Sequence, residues 1–459
     1  AIDDRLVSDE VDIAVHSSKD VPVDVDANIT SLAYLERGCT DDLILLRTTP
    51  DVSSLDEVLG NEVSTPLASI LDHFSEGATF GTVSGRRQSF LLSQRPDLIP
   101  LAVRGHVETR ISRLIDGRVD AIVLAEVGLA RLNGTGALDG MKEGLSAFRI
   151  AKEDWPTAPG QGAIAVHCLT DRFEQMSELR SVLNHPATEA DVLGERRLLK
   201  EAGGGCLYPA GIGVEGERVH VQISPENWRE IFCQGSAFSM FSYSGRLSEL
   251  NLQLPKQSLK TVHLTSGQTR YISTLNSDRI SLVLSSHGIA MENVPVVDLS
   301  PKFDQWPQDF LRDYNSKRDW PYLVLTSPFA AKCAVQAAAS NPDIGRIPWV
   351  AIGEGTARAC FRLGVTVAVC AKARNARQLA TYISENFPSS TTFFIPRSSL
   401  ASPAFEEALQ AAGFSVKAWI GYENAPKELA PIEVDSEDVL VLSSASSALS
   451  WAKNGLKVP

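Results

Sequence analysis

Five arginines of the first half of the chain lie where short apolar segments end or the following helices begin. They are Arg86, Arg87, Arg104, Arg110 and Arg131. The chain as a whole is acidic, with 43 Lys and Arg against 56 Asp and Glu and a formal net charge of -13. A single arginine in such a chain is an ordinary surface or salt-bridged residue. Five at comparable positions favour a small polyanionic ligand, because the planar guanidinium binds carboxylate or phosphate through two hydrogen bonds.

A lysine and an aspartate, Lys19-Asp20, end the most strand-like segment of the chain, Val11 to His16. A carboxylate in an otherwise cationic cleft could stabilise a cationic intermediate. Asp20 could equally be a turn residue before Val21-Pro22, and the sequence leaves both interpretations open. Cys206 follows three glycines, which would let its sulfur approach another domain, although composition alone favours a structural cysteine.

The seven cysteines are odd in number, widely spaced and without a CxxC pair, so neither a disulfide framework nor a zinc site is indicated. None of the eight histidines forms a ligand pair at helical spacing, and we predict no metal. This cysteine pattern indicates a reducing compartment and predicts a cytoplasmic protein. The net charge argues against a nucleic-acid partner, and no apolar window is long enough for a transmembrane helix.

The elements that must position these residues alternate between strand and helix, which predicts an α/β fold with a mainly parallel sheet over the first 170 or so residues. The predicted strands are Val11 to His16, Thr79 to Thr82, Ile99 to Val103 and Ala121 to Leu124, and the helices between them include Gln88 to Gln94 and Val107 to Ile115. Open α/β sheets bind ligands at the carboxyl ends of their strands, so the polar tips of these strands are the predicted site.

Downstream, a helix over Thr188 to Ala202 ends at glycines, and Gly211 to Phe241 alternates like strands, which together predict a small α+β module. The polar stretch Tyr243 to Lys260 is predicted to be an interdomain linker. Alternation then resumes in strands beginning with Thr261 to Leu264 and Tyr322 to Leu325. Two of these later units look alike, which predicts two α/β lobes.

Five blocks in this order closely resemble the porphobilinogen deaminase (hydroxymethylbilane synthase) family. They are Val11 to Pro22, Gly81 to Gln88, Arg104 to Arg110, Ala158 to Gly162 and Gly204 to Cys206. The second half is similar to the uroporphyrinogen-III synthase family, through weaker motifs such as Leu325-Thr326-Ser327-Pro328, Ile395-Pro396-Arg397, Gly421-Tyr422 and Leu442-Ser443-Ser444-Ala445.

The first resemblance implies a dipyrromethane cofactor attached covalently at Cys206 and a catalytic carboxylate at Asp20. Lys19, Ser84 and the five arginines would bind the acetate and propionate groups of the cofactor and the growing chain. The implied reaction joins four porphobilinogen molecules, with loss of ammonia, into hydroxymethylbilane. The second resemblance implies cyclisation of that product to uroporphyrinogen III, with Tyr422 as the acid for loss of the hydroxyl.

The implied architecture is two periplasmic-binding-protein-like α/β domains, a small α+β domain and a two-lobed α/β synthase module. The corresponding boundaries are 1–42 with 163–182, then 43–162, then 183–257, and finally 258–459. We expect a monomeric, bifunctional enzyme of tetrapyrrole biosynthesis that acts on small molecules and binds neither nucleic acid nor membrane. The rival hypothesis is a non-catalytic two-lobed anion-binding protein.

The resemblance also predicts that both halves are truncated. The chain starts just before the block that contains Lys19-Asp20, and it ends at Pro459, soon after Leu442-Ser443-Ser444. The opening strand and helix of the deaminase family would therefore be missing. We expect the 459 residues alone to form little hydroxymethylbilane, or to be an inactive fragment.

Overall fold

The computed structural model describes residues 2–204, 208–235, 237–254, 269–276, 279–311, 314, 320–429, 432–442 and 445–456. The chain divides into two compact units. The first comprises Ala1–Trp228 with Phe238–Gln257, and the second comprises Arg229–Ala237 with Ser258–Pro459. Within these ranges no helix combines the length and apolar character needed to cross a membrane. The molecule is mixed α/β, and the finer domain boundaries predicted from the sequence remain predictions.

The first unit contains eleven strands and eight complete helices within the described ranges. The strands are β1 (Ala14–Ser17), β2 (Ile29–Tyr34), β3 (Asp42–Arg47), β4 (Thr79–Gly81), β5 (Ile99–Leu101), β6 (Ala121–Ala125), β7 (Leu145–Arg149), β8 (Ile164–Leu169), β9 (Ala210–Glu215), β10 (Arg218–Ile223) and β11 (Phe241–Arg246). The helices are α1 (Ile2–Val7), α2 (Leu55–Leu59), α3 (Leu67–Leu71), α4 (Gly85–Gln94), α5 (Val107–Ile115), α6 (Glu126–Gly134), α7 (Ser177–Leu183) and α8 (Pro186–Glu201).

These strands form three sheets, in the orders β1-β8-β2, β5-β4-β6-β3-β7 and β11-β10-β9. The centre of the five-stranded sheet is apolar on both faces, since Leu43, Ile44 and Leu45 of β3 have no exposed surface. Such a continuous apolar run suits a strand that is covered on both sides. The sheet supports helix α4, which begins where Ser84 Oγ accepts a hydrogen bond from the Arg87 backbone N–H (3.4 Å).

Strand pairing corrects the prediction of a mainly parallel sheet. β1 and β2 both pair antiparallel with β8, and β3 pairs antiparallel with β6 and β7, while only β4 makes parallel pairs, with β5 and β6. The strand predicted over Val11 to His16 corresponds to β1, which is an edge strand of its described sheet, with Val15 53% exposed. The error arose because β1 and its partner β8 are far apart in the chain, so local alternation carried no information about their pairing.

The α+β region contains helix α8 packed on the β11-β10-β9 sheet, with Leu198 and Leu199 against Ile212 and Val221. The predicted linker begins too early, because β11 continues to Arg246 and pairs with β10 along its whole length. Leu247, Leu250, Leu252 and Leu254 then pack against the same core. The polar composition was therefore misleading up to Leu254, because these leucines pack against the core.

We expect the first tryptic cut between the halves at Lys256 or Lys260, not at Arg246. Arg246 lies in the β10–β11 ladder opposite Arg218, and a protease needs the local backbone to unfold. Mass spectrometry of an early time course should therefore give fragments that end at Lys256 or Lys260. A first cut at Arg246, or outside residues 243–260 altogether, would contradict two separable units joined in this region.

The second unit contains strands β12 (Tyr271–Ser273), β13 (Met291–Asn293), β14 (Val297–Pro301), β15 (Tyr322–Leu325), β16 (Trp349–Ala351), β17 (Val369–Cys370), β18 (Thr392–Ser398), β19 (Ser415–Pro426) and β20 (Val439–Val441). Its helices are α10 (Arg279–Ser286), α11 (Pro328–Ser340), α12 (Pro342–Arg346), α13 (Glu354–Arg362), α14 (Ala376–Asn386), α15 (Ala404–Ala411) and α16 (Ala445–Lys453), and α9 (Trp228–Cys233) continues into it from the first unit. Short 3₁₀ turns cover Ser18–Asp20, Lys142–Gly144, Thr170–Arg172, Glu174–Met176, Leu247–Glu249 and Phe303–Gln305.

Two sheets organise the described part of this unit, a parallel one ordered β13-β12-β20 and a mixed one ordered β14-β19-β18-β15-β16-β17. The larger sheet packs Phe393 and Ile395 of β18 against Leu379 and Ile383 of α14. β15 occupies the residues predicted for it, whereas the strand predicted at Thr261 to Leu264 lies outside the described residues.

Candidate functional site

The turn after β1 presents three consecutive side chains in different environments. Ser18 is buried, Lys19 is half-buried and Asp20 is exposed. A backbone hydrogen bond holds this turn in place, in which the Ser18 N–H donates to the Ala163 carbonyl oxygen (3.0 Å). Gly160 allows this close approach, because its φ is +76° and a Cβ there would lie 2.6 Å from Ser18 Oγ. The local backbone therefore directs the Asp20 carboxylate to solvent at a strand end.

A buried carboxylate, Asp42 at the start of β3, holds the arginine pair of α4. Arg86 Nη2 donates to Asp42 Oδ2 (2.6 Å), and Arg87 donates to it through Nε (3.0 Å) and Nη2 (2.5 Å). Trp155 Nε1 (2.9 Å) and Gln161 Nε2 (3.0 Å) also donate to it. Burial alone would raise the pKa of the Asp42 carboxyl, but the charges of Arg87 and Arg86 lower it well below its usual range.

Most guanidinium nitrogens of Arg86 and Arg87 already donate to the protein. The two residues are 5% and 8% exposed, Arg86 Nη1 donates to Pro156 O (2.9 Å), and Arg87 Nη1 donates to Val123 O (2.8 Å). Arg86 Nε is buried without a hydrogen-bond partner. The protein therefore holds both arginines in place, and Arg86 Nε is the nitrogen of the pair that has no acceptor.

More positive charge surrounds this arginine pair than Asp42 neutralises. Burial and then the charge of Arg87 lower the pKa of Lys19, against the opposing effects of Asp42 and Asp20. The same two causes lower the pKa of Arg110, whose Nε donates to Gly105 O (2.9 Å). Lys19 Nζ also reaches Gln161 Oε1 (3.5 Å), which connects it to Asp42. We call Lys19, Arg86, Arg87 and Arg110 the cationic cluster.

The other residues predicted to bind the ligand do not belong to the cationic cluster. Arg104 and Arg131 are exposed and so are not part of its buried centre, while Ser84 is half-buried and caps α4. Cys206 lies outside the described residues. The chain leading to it leaves α8 through Gly203, whose φ of +76° ends the helix as the sequence predicted.

A second buried carboxylate, Glu195 of α8, ties the α+β region to the turn beneath Lys19. Glu195 accepts hydrogen bonds from the backbone N–H groups of Gly160 (2.6 Å) and Val214 (2.9 Å) and pairs with Arg37 (2.9 Å). Burial raises the pKa of this carboxyl, while Arg37 opposes the shift. Glu195 thus contacts both the turn that supports Ser18-Lys19 and the strand that follows the predicted cofactor loop.

In the second unit, Tyr422 of β19 is buried and its hydroxyl lies 2.9 Å from Ser327 Oγ. Ser327 also caps α11 by accepting from the Ala330 N–H (3.0 Å). Burial raises the pKa of Tyr422, against the effect of the Ser327 hydrogen bond, so the phenol stays protonated at neutral pH. Ser443 and Ser444 lie outside the described residues.

The sequence analysis did not single out four residues of this site, namely Asp42, Glu195, Trp155 and Gln161. A usable signal existed for Asp42, because the four residues that follow it in the strand are apolar, and a buried charge requires a partner. The adjacent Arg86-Arg87 pair was an obvious partner by charge. Glu195 gave no comparable signal, since one acidic residue in a helix with several charges is usually solvated.

Both halves of the chain are similar to known protein families. Residues 1–177 match the family model described as porphobilinogen deaminase, dipyromethane cofactor binding domain, and residues 278–456 match that described as uroporphyrinogen-III synthase HemD. A relative named probable porphobilinogen deaminase, from Methanococcoides burtonii, is 34% identical over 226 residues, which are 48% of this chain and 63% of that protein. The chain thus spans less than two thirds of this curated relative.

Among solved structures, uroporphyrinogen-III synthetase from Helicobacter pylori is similar at 14% identity and a TM-score of 0.26, covering 41% of this chain and 90% of that one. The BvgS periplasmic VFT2 domain from Bordetella pertussis is similar at 16% identity and a TM-score of 0.23, covering 39% and 63%.

Two segments of the chain are therefore similar to two different enzyme families. Residues 1–177 resemble porphobilinogen deaminase, and residues 278–456 resemble uroporphyrinogen-III synthase.

Proposed function

We propose that the protein makes hydroxymethylbilane from four porphobilinogen molecules in its first unit and cyclises it to uroporphyrinogen III in its second. The observation that carries the first activity is the cationic cluster around Asp42 beside the exposed carboxylate of Asp20, inside the segment that matches the deaminase family. The product of the first reaction is the substrate of the second, which gives the pairing of the two segments a chemical reason.

The residues present fit a dipyrromethane that carries acetate and propionate groups. Lys19 and Arg110 both feel repulsion from Arg87, and Arg86 Nε is a buried donor without an acceptor. A carboxylate placed among them would relieve the repulsion and accept the spare hydrogen bond. When bound, the dipyrromethane would supply the pyrrole end to which the first substrate is joined, with Cys206 as its attachment point.

Within this proposal the residues of the site have distinct tasks. Lys19 and Arg110 bind ligand carboxylates, and the exposed Arg104 and Arg131 bind those of the growing chain. Asp42 keeps Arg86 and Arg87 oriented, so their positive charge is fixed before a ligand arrives. The Asp20 carboxylate stabilises the positive charge that develops on porphobilinogen as ammonia leaves, because it is a fixed negative group in a cationic environment.

For the second unit we propose that Tyr422 donates the proton that assists loss of the hydroxyl from hydroxymethylbilane. A protonated, buried phenol that already exchanges a hydrogen bond with Ser327 supports this role. We further propose the domain division 1–42 with 163–182, 43–162, 183–257 and 258–459. In it, the first two domains are periplasmic-binding-protein-like and the last is two-lobed.

The deciding experiment for the first activity is an intact-mass measurement of the purified protein. We expect an adduct with the mass of a dipyrromethane, and we expect Cys206→Ser to remove it. Cys168→Ser and Cys233→Ser are matched controls that should keep it, since Cys168 is buried and burial raises the pKa of both thiols, which makes them poor nucleophiles. An adduct that survives Cys206→Ser would contradict the assignment, and a protein without any adduct would favour the anion-binding alternative.

A further inference from the structure

Two histidines and an aspartate from three different elements lie together in the first unit. Asp3 belongs to α1, His16 to β1 and His167 to β8. Asp3 Oδ1 lies 2.8 Å from His16 Nε2 and 3.5 Å from His167 Nδ1, and the three ligand-type atoms all lie within 4.8 Å of one another. None of these three side chains has a task in the proposed tetrapyrrole chemistry.

The buried histidine is the observation that points to a ligand. His167 is 1% exposed, and its Nδ1 faces this group without a hydrogen-bond partner. Buried polar atoms are nearly always paired, so an atom of this kind requires an explanation. Burial also lowers the pKa of His167, against the charge of Asp3, and a neutral imidazole is the form that binds a metal.

We propose that Asp3, His16 and His167 bind a divalent transition-metal cation of the zinc type. Imidazole nitrogen together with a carboxylate suits zinc and its neighbours better than magnesium or calcium, which prefer oxygen ligands. With zinc–ligand bonds of about 2.0–2.1 Å, tetrahedral ligand atoms lie about 3.3 Å apart, close to the two distances from Asp3. Three protein ligands would leave the fourth position for water.

Without a cation, Asp3 contacts His16 (2.8 Å), while His167 Nδ1 has no hydrogen bond. Binding of the cation would replace the contact between Asp3 and His16 and would give His167 Nδ1 a partner. Because His16 is followed directly by Ser17 and the Ser18–Asp20 turn, the cation would fasten α1 to the two strands that support this turn.

The test is calorimetric titration of the whole chain with Zn²⁺, and with Co²⁺ for its absorption spectrum. We expect one tight site per chain and a rise in melting temperature on metal addition. His167→Gln, His16→Gln and Asp3→Asn should each weaken binding about tenfold or more, since even outer groups around a metal affect affinity 10–100-fold. The Co²⁺ spectrum should lack a thiolate charge-transfer band, which separates this site from binding at cysteine.

His73→Gln is the matched control, since His73 is an exposed histidine of the same unit outside this group. It should leave both affinity and stoichiometry unchanged. Absence of a tight site, or unchanged affinity in all three ligand variants, would overturn the proposal. Should His167→Gln fail to fold, the two variants at the partly exposed Asp3 and His16 decide the outcome.

Discussion

Asp20→Asn is expected to lower the rate of hydroxymethylbilane formation about 100-fold or more, because removal of one preorganised electrostatic group costs on that order. Asn keeps the size of the side chain and removes its charge. Asp20 is exposed, so the melting temperature should stay within about 1–2 °C of the parent, as for most surface substitutions. The measurement is the initial rate of product formation from porphobilinogen with purified parent and variant.

The matched control for Asp20→Asn is Asp24→Asn. Asp24 lies four residues downstream and is paired at the surface with Lys200 (2.9 Å), and its side chain is 82% exposed. This control should retain the parental rate. A normal rate in Asp20→Asn with unchanged melting would remove Asp20 from the reaction, whereas an equal loss in both variants would indicate a general effect of charge on substrate capture.

Asp42→Asn is expected to reduce the free energy of unfolding by about 3–5 kcal/mol, as when one partner of a buried ion pair is removed. The change leaves the charges of Arg86 and Arg87 buried without their carboxylate. It also places an amide N–H₂ among the donors of Arg86, Arg87, Trp155 and Gln161. Urea denaturation of parent and variant measures the difference.

The same pair of proteins gives a pH test with a definite sign. The Asp42 pKa is lowered in the folded state, so its contribution is fully present above the unfolded pKa of about 3.9 and is lost as pH falls further. The stability difference between parent and Asp42→Asn should therefore be constant from neutral pH to about pH 5 and shrink in stronger acid.

Asp139→Asn provides the comparison for Asp42→Asn, because Asp139 pairs with Lys142 (3.5 Å) with its side chain 68% exposed. Such a surface pair contributes about 0–1 kcal/mol. If Asp42→Asn costs no more than this control, the arginine pair does not depend on Asp42, and its proposed orienting role is wrong.

Local features of this protein were readable from its sequence. The helix Val107–Ile115 and the strand Tyr322–Leu325 occupy the predicted residues, because apolar periodicity, caps and breakers act over a few residues. The blocks around Lys19-Asp20 and Arg86-Arg87 likewise indicated the resemblance that the family model matches over residues 1–177, because each block consists of consecutive residues. Helix α4 begins at Gly85 rather than Gln88, an error limited to one end of the element.

Contacts between segments that are far apart in the chain could not be predicted from the sequence. The antiparallel β1–β8 pairing joins residues about 150 positions apart, so the β-strand pattern alone favoured a parallel sheet. The arginines were predicted as ligands for an outside anion, yet Asp42, 44 positions before Arg86, accepts three hydrogen bonds from Arg86 and Arg87. Glu195 reaches Arg37 across 158 positions.

The group of Asp3, His16 and His167 was invisible for the same reason, since a search for histidines at helical spacing detects only ligands on one element. The sequence determined which chemical groups the protein contains and the short helices and strands on which they lie. The tertiary structure decided which of these groups contact one another, because side-chain contacts depend on how strands pair and helices pack. The pairing and packing minimise the free energy of the whole chain rather than that of any local segment.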